Sequence, residues 1–92
     1  MTEKNIDDDE ILSQFGKKLA EIRKKKGFSQ ERLALESNVA RSYLSGVERG
    51  KRNISLINIC LLARTLNVPP SSLLEPFIED SQLKSDVHPN ST

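Results

Sequence analysis

Arg41, Ser42, Tyr43 and Ser45 stand within five residues of one another, and Arg49, Lys51, Arg52 and Asn53 follow within the next eight. Only one carboxylate, Glu48, interrupts the run. A guanidinium is a planar fork of donors that matches paired acceptors such as guanine O6 and N7, and closely spaced cations match phosphates. Residue types in this pattern suit recognition of a polyanion with readable edges. They do not suit bond-making. The single histidine, His88, and the single cysteine, Cys60, form neither a nucleophile–base pair nor a zinc set of the common spacing. No glycine-rich phosphate loop of the P-loop type is present. No enzyme activity, metal or cofactor is expected, and no small-molecule ligand is evident.

These side chains need a rigid support, and the surrounding pattern supplies one. Ser29 is suited to cap a helix whose inner face is Leu33, Ala34 and Ser37. Asn38 tolerates the left-handed conformation that ends it. Val39 then turns inward, and a second helix carries Tyr43 with Leu44 and Val47 toward the core, until Gly50 stops it. Two short helices across a tight turn are the sequence form of a helix-turn-helix, which presents its second helix to the DNA major groove. Before this unit, Ile11, Leu12, Phe15, Leu19 and Ile22 follow helical spacing. Asp7–Glu10 suit the positive end of that helix, Lys24–Lys26 suit its negative end, and Gly27 is the expected stop. Phe28 is expected to anchor the following loop on the core. A fourth helix is predicted from Ser55 to Leu66 with Asn67 as its left-handed stop. Its inner stripe would be Leu56, Ile59, Leu62, Ala63 and Leu66. A short fifth helix opens at Pro70, turns Leu73 and Leu74 inward, and ends or kinks at Pro76. The expected fold class is all-α, a compact five-helix bundle around the helix-turn-helix. The acidic residues 1–8 are expected to be disordered, 9–78 to form the domain, and 79–92 to be a flexible tail.

The stretch from about residue 11 to 75 resembles the lambda-repressor/Cro-type helix-turn-helix family. The matching marks are Gln30 after the cap, the Leu33-Ala34 pair, Glu48-Arg49-Gly50 at the end of the second helix, and Ser55-Leu56 opening the next. The run from Arg41 to Ile59 is similar to controller proteins of restriction–modification systems. The resemblance implies a transcription regulator that binds double-stranded DNA. A controller-like regulator is expected to activate and then repress its own gene and a neighbouring endonuclease, with two dimers on adjacent sites and RNA polymerase as a further partner.

Within that frame, Arg41 is the expected main base reader. Ser42 and Ser45 are expected to touch bases, Ser45 alternatively a phosphate. Tyr43 either reaches a thymine methyl or a phosphate, or packs half-buried. Arg52 contacts a base at the groove edge or a phosphate. Arg49, Lys51 and Asn53 are expected to grip phosphates. Gln30 resembles the family's phosphate-contacting glutamine. Arg23 and Glu48 match a pair that forms an internal salt bridge in relatives, which would make them structural. Gly46 falls where relatives carry a reading side chain, and either admits close approach to DNA or relieves crowding. Two departures stand out. Ala40 occupies a cap position that prefers Ser, Thr or Asp, and Arg32 stands where Glu or Gln would close a capping box.

Ile57 and Leu61 lie four apart, off the inward stripe, where the family pattern often has charged residues. With Arg64 and Thr65 further along and part of the fifth helix, they define an expected homodimer face. Ninety-two residues bury only a modest core, so association would also aid stability. The net charge of +1 hides a segregation: residues 17–64 hold twelve basic and four acidic residues, a net of +8, and the flanks are acidic. Such a basic centre fits a polyanion partner. The lone cysteine excludes an internal disulfide, is expected to be buried, and fits a reducing cytoplasm. No secretory signal or membrane span is expected; the longest apolar run, Ile59 to Ala63, is far too short. Two alternatives stay open. One is a repressor of a prophage or other mobile element. The other is an antitoxin-like protein-binding module using the 79–92 tail, whose apolar anchors are Leu83 and Val87.

Overall fold

The computed structural model describes residues 7–75, so the tail over 79–92 and Pro76 lie outside the described residues. The chain enters α1 (Asp8–Lys25) through Asp7, whose carboxylate accepts from the Glu10 N–H at 2.8 Å. That cap satisfies one of the four orphan donors of the first turn. Arg23, Lys24 and Lys25 occupy the last turn, and Gly27 follows at φ 82°. The helix-turn-helix comprises α2 (Gln30–Ser37) and α3 (Arg41–Glu48). The Ser29 hydroxyl accepts from the Arg32 N–H at 3.0 Å, and Asn38 ends α2 at φ 62°. α4 (Leu56–Leu66) has the same punctuation: Ser55 accepts from the Asn58 N–H at 3.1 Å and Asn67 sits at φ 61°. α5 (Pro70–Leu74) opens with proline, whose fixed φ suits the first helical position. Among the described residues the fold is all-α, with five helices and no strand.

The core is built from one or two layers per helix. Phe15 and Leu19 of α1 meet Leu33 and Ala34 of α2, Leu44 and Val47 of α3, and Leu62, Ala63 and Leu66 of α4, closed by Leu73. α1 packs on α3, α2 packs on α3 and α4, and α5 bridges α4 back to α1. Phe28, Val39, Ile54 and Val68 seal the loops from partly buried positions. Gly16 decides how closely α1 approaches α3, since a Cβ there would run into the backbone carbonyls of Val47 and Glu48. Those carbonyls belong to a helix end and cannot move aside as a side chain would.

Three expectations about burial, for Leu56, Leu74 and Cys60, are corrected. Leu56, assigned to the inner stripe, is 71% exposed. Its register is right, but it is the first residue of α4 and lies past the edge of the core. Ile11 shows the same effect near the start of α1, at 37% exposed. Leu74 is also exposed, at 39%, because α5 is little more than one turn and seats one leucine, Leu73, fully. Cys60 is a half-buried free thiol rather than a buried one.

Candidate nucleic-acid interface

The first turn of α3 stands clear of the body of the protein. Ala40, Arg41 and Ser42 are exposed, while Leu44 and Val47 hold the opposite side of the helix in the core. Ala40 provides no side-chain cap, so none of the first-turn N–H groups of α3 is tied by it. The orientation of α3 comes instead from packing and from two polar links. The first is Tyr43, half-buried, whose hydroxyl accepts from Asn58 Nδ2 of α4 at 3.2 Å. The second is Glu48, at the other end.

Glu48 receives three donors. Arg23 Nε and Nη2 donate to its two oxygens at 2.7 and 3.0 Å, and Gln30 Nε2 donates to Oε1 at 2.8 Å. Arg23 also donates from Nη1 to the Phe28 carbonyl at 2.8 Å. The Arg23 and Glu48 side chains are 10% and 6% exposed. This cluster ties α1, the loop before α2, the start of α2 and the end of α3 at one point. The guanidinium and carboxylate are spent internally and add nothing to the external field. Gln30, singled out for a phosphate, has its amide nitrogen held by Glu48, which aims the group and leaves one of its two N–H donors uncommitted.

Two of the remaining cations have carboxylate partners among the described residues. Arg32 pairs with Glu36 at 2.8 Å and lies over the Phe28 ring at 4.2 Å, and Lys18 lies within 4 Å of Glu21 and Glu75. Among the described residues, Lys17, Lys24, Lys25, Lys26 and Arg64 have no carboxylate partner, and neither do four residues at the α3 edge, Arg41, Arg49, Lys51 and Arg52. All four are exposed, as is Asn53. An exposed guanidinium at the start of α3 and three cations in the loop that leaves it form the free positive charge of this edge. Ser45 is half-buried, one turn behind Arg41. Gly46, which sequence left between two roles, is buried, and a Cβ there would meet Arg52 Cγ at 2.7 Å. The Arg52 guanidinium lies 5.9 Å from the Tyr43 ring centroid, a distance at which a cation is attracted to the ring face.

On α4, Ile57 is 72% exposed and its neighbour Leu56 nearly as much, while Leu61 is half-buried. Arg64 is exposed; Thr65 is half-buried and its hydroxyl donates to the Leu61 carbonyl at 3.0 Å. Sequence reasoning missed three participants. Leu56 adds to the apolar edge; Asn58 fixes Tyr43; Gly16 sets the seat of α3. Gly16 had a signal, since glycine inside a helix costs about 1 kcal/mol against alanine and asks for a reason. Asn58 had none, because its partner is fifteen residues away. Among the described residues there is no cluster of groups that could hold a metal, and no helix is long and apolar enough to cross a membrane.

A family model described as helix-turn-helix matches residues 19–73. The control protein C.BamHI of Bacillus amyloliquefaciens is 47% identical over 62 residues, which cover 66% of this chain and 76% of that protein. The restriction-modification controller protein C.AhdI of Aeromonas hydrophila, a solved structure, is 53% identical with a TM-score of 0.66, covering 67% of this chain and 94% of that one. Another controller protein, C.Esp1396I, solved as a tetramer with its natural 35 base-pair operator, is 37% identical with a TM-score of 0.64, covering 71% of this chain and 86% of that one. By these matches, and with α3 exposed at its first turn, the chain belongs to the helix-turn-helix family of DNA-binding transcription regulators, beside the controller proteins of restriction–modification systems.

Proposed function

We propose that this protein is a homodimeric, sequence-specific operator binder that controls transcription within a restriction–modification system. The observation that carries this reading is Arg41 on the exposed first turn of α3, continued by exposed Arg49, Lys51 and Arg52 in the next loop, none with a carboxylate partner among the described residues. In this reading α3 enters the major groove, Arg41 reads a guanine edge, and Ser42 and Ser45 make shorter contacts. Arg52 reads at the groove edge. Arg49, Lys51, Asn53 and the free donor of Gln30 hold phosphates and set the register. Dimerisation through Ile57, Leu61, Arg64 and Thr65, extended by Leu56, brings two α3 helices to half-sites about 34 Å apart. Two dimers on adjacent sites, as the C.Esp1396I tetramer on its operator suggests, would allow activation through RNA polymerase and then repression as the protein accumulates. The protein then acts in the cytoplasm with its DNA.

Selection of bound sequences from random duplexes at physiological salt tests this reading. A two-fold-symmetric motif with half-sites one helical turn apart is expected. Salt-sensitive binding without enrichment of any sequence overturns it.

A further inference from the structure

The glycine in the middle of α3 is buried beneath the side chain of a residue in the following loop. An ideal Cβ on Gly46 would sit 2.7 Å from Arg52 Cγ, 3.5 Å from Nε and 3.7 Å from Cδ. The aliphatic stem of Arg52 therefore lies across the space that a side chain at 46 would fill. Further along, its guanidinium reaches the Tyr43 ring, 5.9 Å from the centroid. Tyr43 precedes Gly46 by nearly one turn, so the Arg52 side chain runs back along α3 toward Arg41. Tyr43 is itself held by Asn58 at 3.2 Å. A flexible loop arginine is thus laid in a groove whose floor is Gly46 and whose far end is a fixed aromatic ring. Arginine loses much rotamer freedom when ordered, and a preformed track lowers the part of that loss left for binding.

We propose that Gly46 is a specificity-determining positioning residue: by lacking a side chain it seats Arg52 beside the recognition helix, where Arg52 and Arg41 read neighbouring bases. The proposal rests on the operator-binding reading and goes beyond it, because it gives the glycine its role through Arg52 rather than through contact with DNA. Alanine at 46 has the better helix propensity, and the Cγ it meets belongs to an exposed arginine that can turn away about χ1, so Gly46→Ala is expected to keep the fold.

The test is a cycle of G46A, R52A and the double variant in the full chain. Each is measured for affinity to the selected operator, for base preference by selection from random duplexes, and for thermal midpoint. R52A is expected to lower operator affinity by about fivefold to a hundredfold, the range for one base-reading contact. G46A should lose a comparable factor and relax preference at the same base position, with an unchanged or raised thermal midpoint. The double variant should bind no worse than R52A alone. Independent, multiplying losses would place the Cβ clash against DNA itself and overturn the proposal, as would G46A that binds and selects like the parent. If R52A has no effect, Arg52 is not a reader, and the failure then lies in the operator-binding assignment as well.

Discussion

Arg23 and Glu48, twenty-five residues apart, meet through two parallel hydrogen bonds of 2.7 and 3.0 Å at the junction of α1 and the end of α3. A paired fork of this kind fixes two planes as well as a distance. Because Glu48 also receives the Gln30 amide, the start of α2 and the end of α3 share one acceptor. The angle between the two helices of the DNA-binding unit is therefore set by the Gln30–Glu48 hydrogen bond, whose acceptor the buried charge pair holds in place, as well as by leucine packing.

Removing one member of that pair leaves the other desolvated without its counter-charge, with only a neutral partner, the Phe28 carbonyl or the Gln30 amide, remaining. Glu48→Ala or Arg23→Ala is expected to cost about 3–5 kcal/mol of stability, read from urea unfolding midpoints. Replacing both should cost less than the two single losses combined. A single variant with an unchanged midpoint would show that the pair is not a structural tie.

Gly16 separates α1 from α3 by the width of a missing methyl group, against backbone carbonyls of Val47 and Glu48. Gly16→Ala should destabilise by about 1–3 kcal/mol through overpacking, despite the better helix propensity of alanine. The contrast with G46A is diagnostic. Alanine lowers the thermal midpoint at 16, where it meets backbone, and leaves it unchanged or higher at 46, where it meets an exposed side chain.

Arg41 and Lys51 are both exposed and lack a carboxylate partner among the described residues, and the proposed function gives them different terms in binding. Arg41→Ala should cost about 1–3 kcal/mol on the preferred sequence and relax selection at one position. Lys51→Ala should weaken preferred and random duplexes alike and lower the slope of log affinity against log salt by about one. Equal effects of both variants on both kinds of DNA would refute the division into base reader and phosphate grip.

Leu56 and Ile57 present adjoining apolar side chains at the start of α4, each more than two-thirds exposed. Ile57→Glu with Leu61→Glu should yield a folded monomer by sedimentation, with operator affinity falling because two half-sites are no longer held by one particle. Leu56→Glu alone should weaken the dimer. A dimer that survives the double change would move the interface elsewhere.

Much of the helical frame was determined by the sequence itself, because the signals involved are local. Ser29 and Ser55 cap through an N–H three residues on, and Asn38 and Asn67 stop helices by adopting positive φ. The stripe Leu33, Ala34 and Ser37 is inward as its spacing predicts. The marks of the family lie in the same local run, and the helix-turn-helix match over 19–73 agrees with them. What only the tertiary structure decided involves partners distant in the chain or the end of an element. Periodicity placed Leu56 on the inner stripe, but a wheel has no ends, and the first residue of α4 lies beyond the core. The Gln30 amide is held by Glu48, eighteen residues away, so its aim depends on how α2 meets α3. Gly46 is an ambiguous gap in sequence; only with the loop folded back does it become the seat of Arg52. Local backbone preference is written residue by residue, whereas these relationships exist only after the core has fixed which surfaces touch.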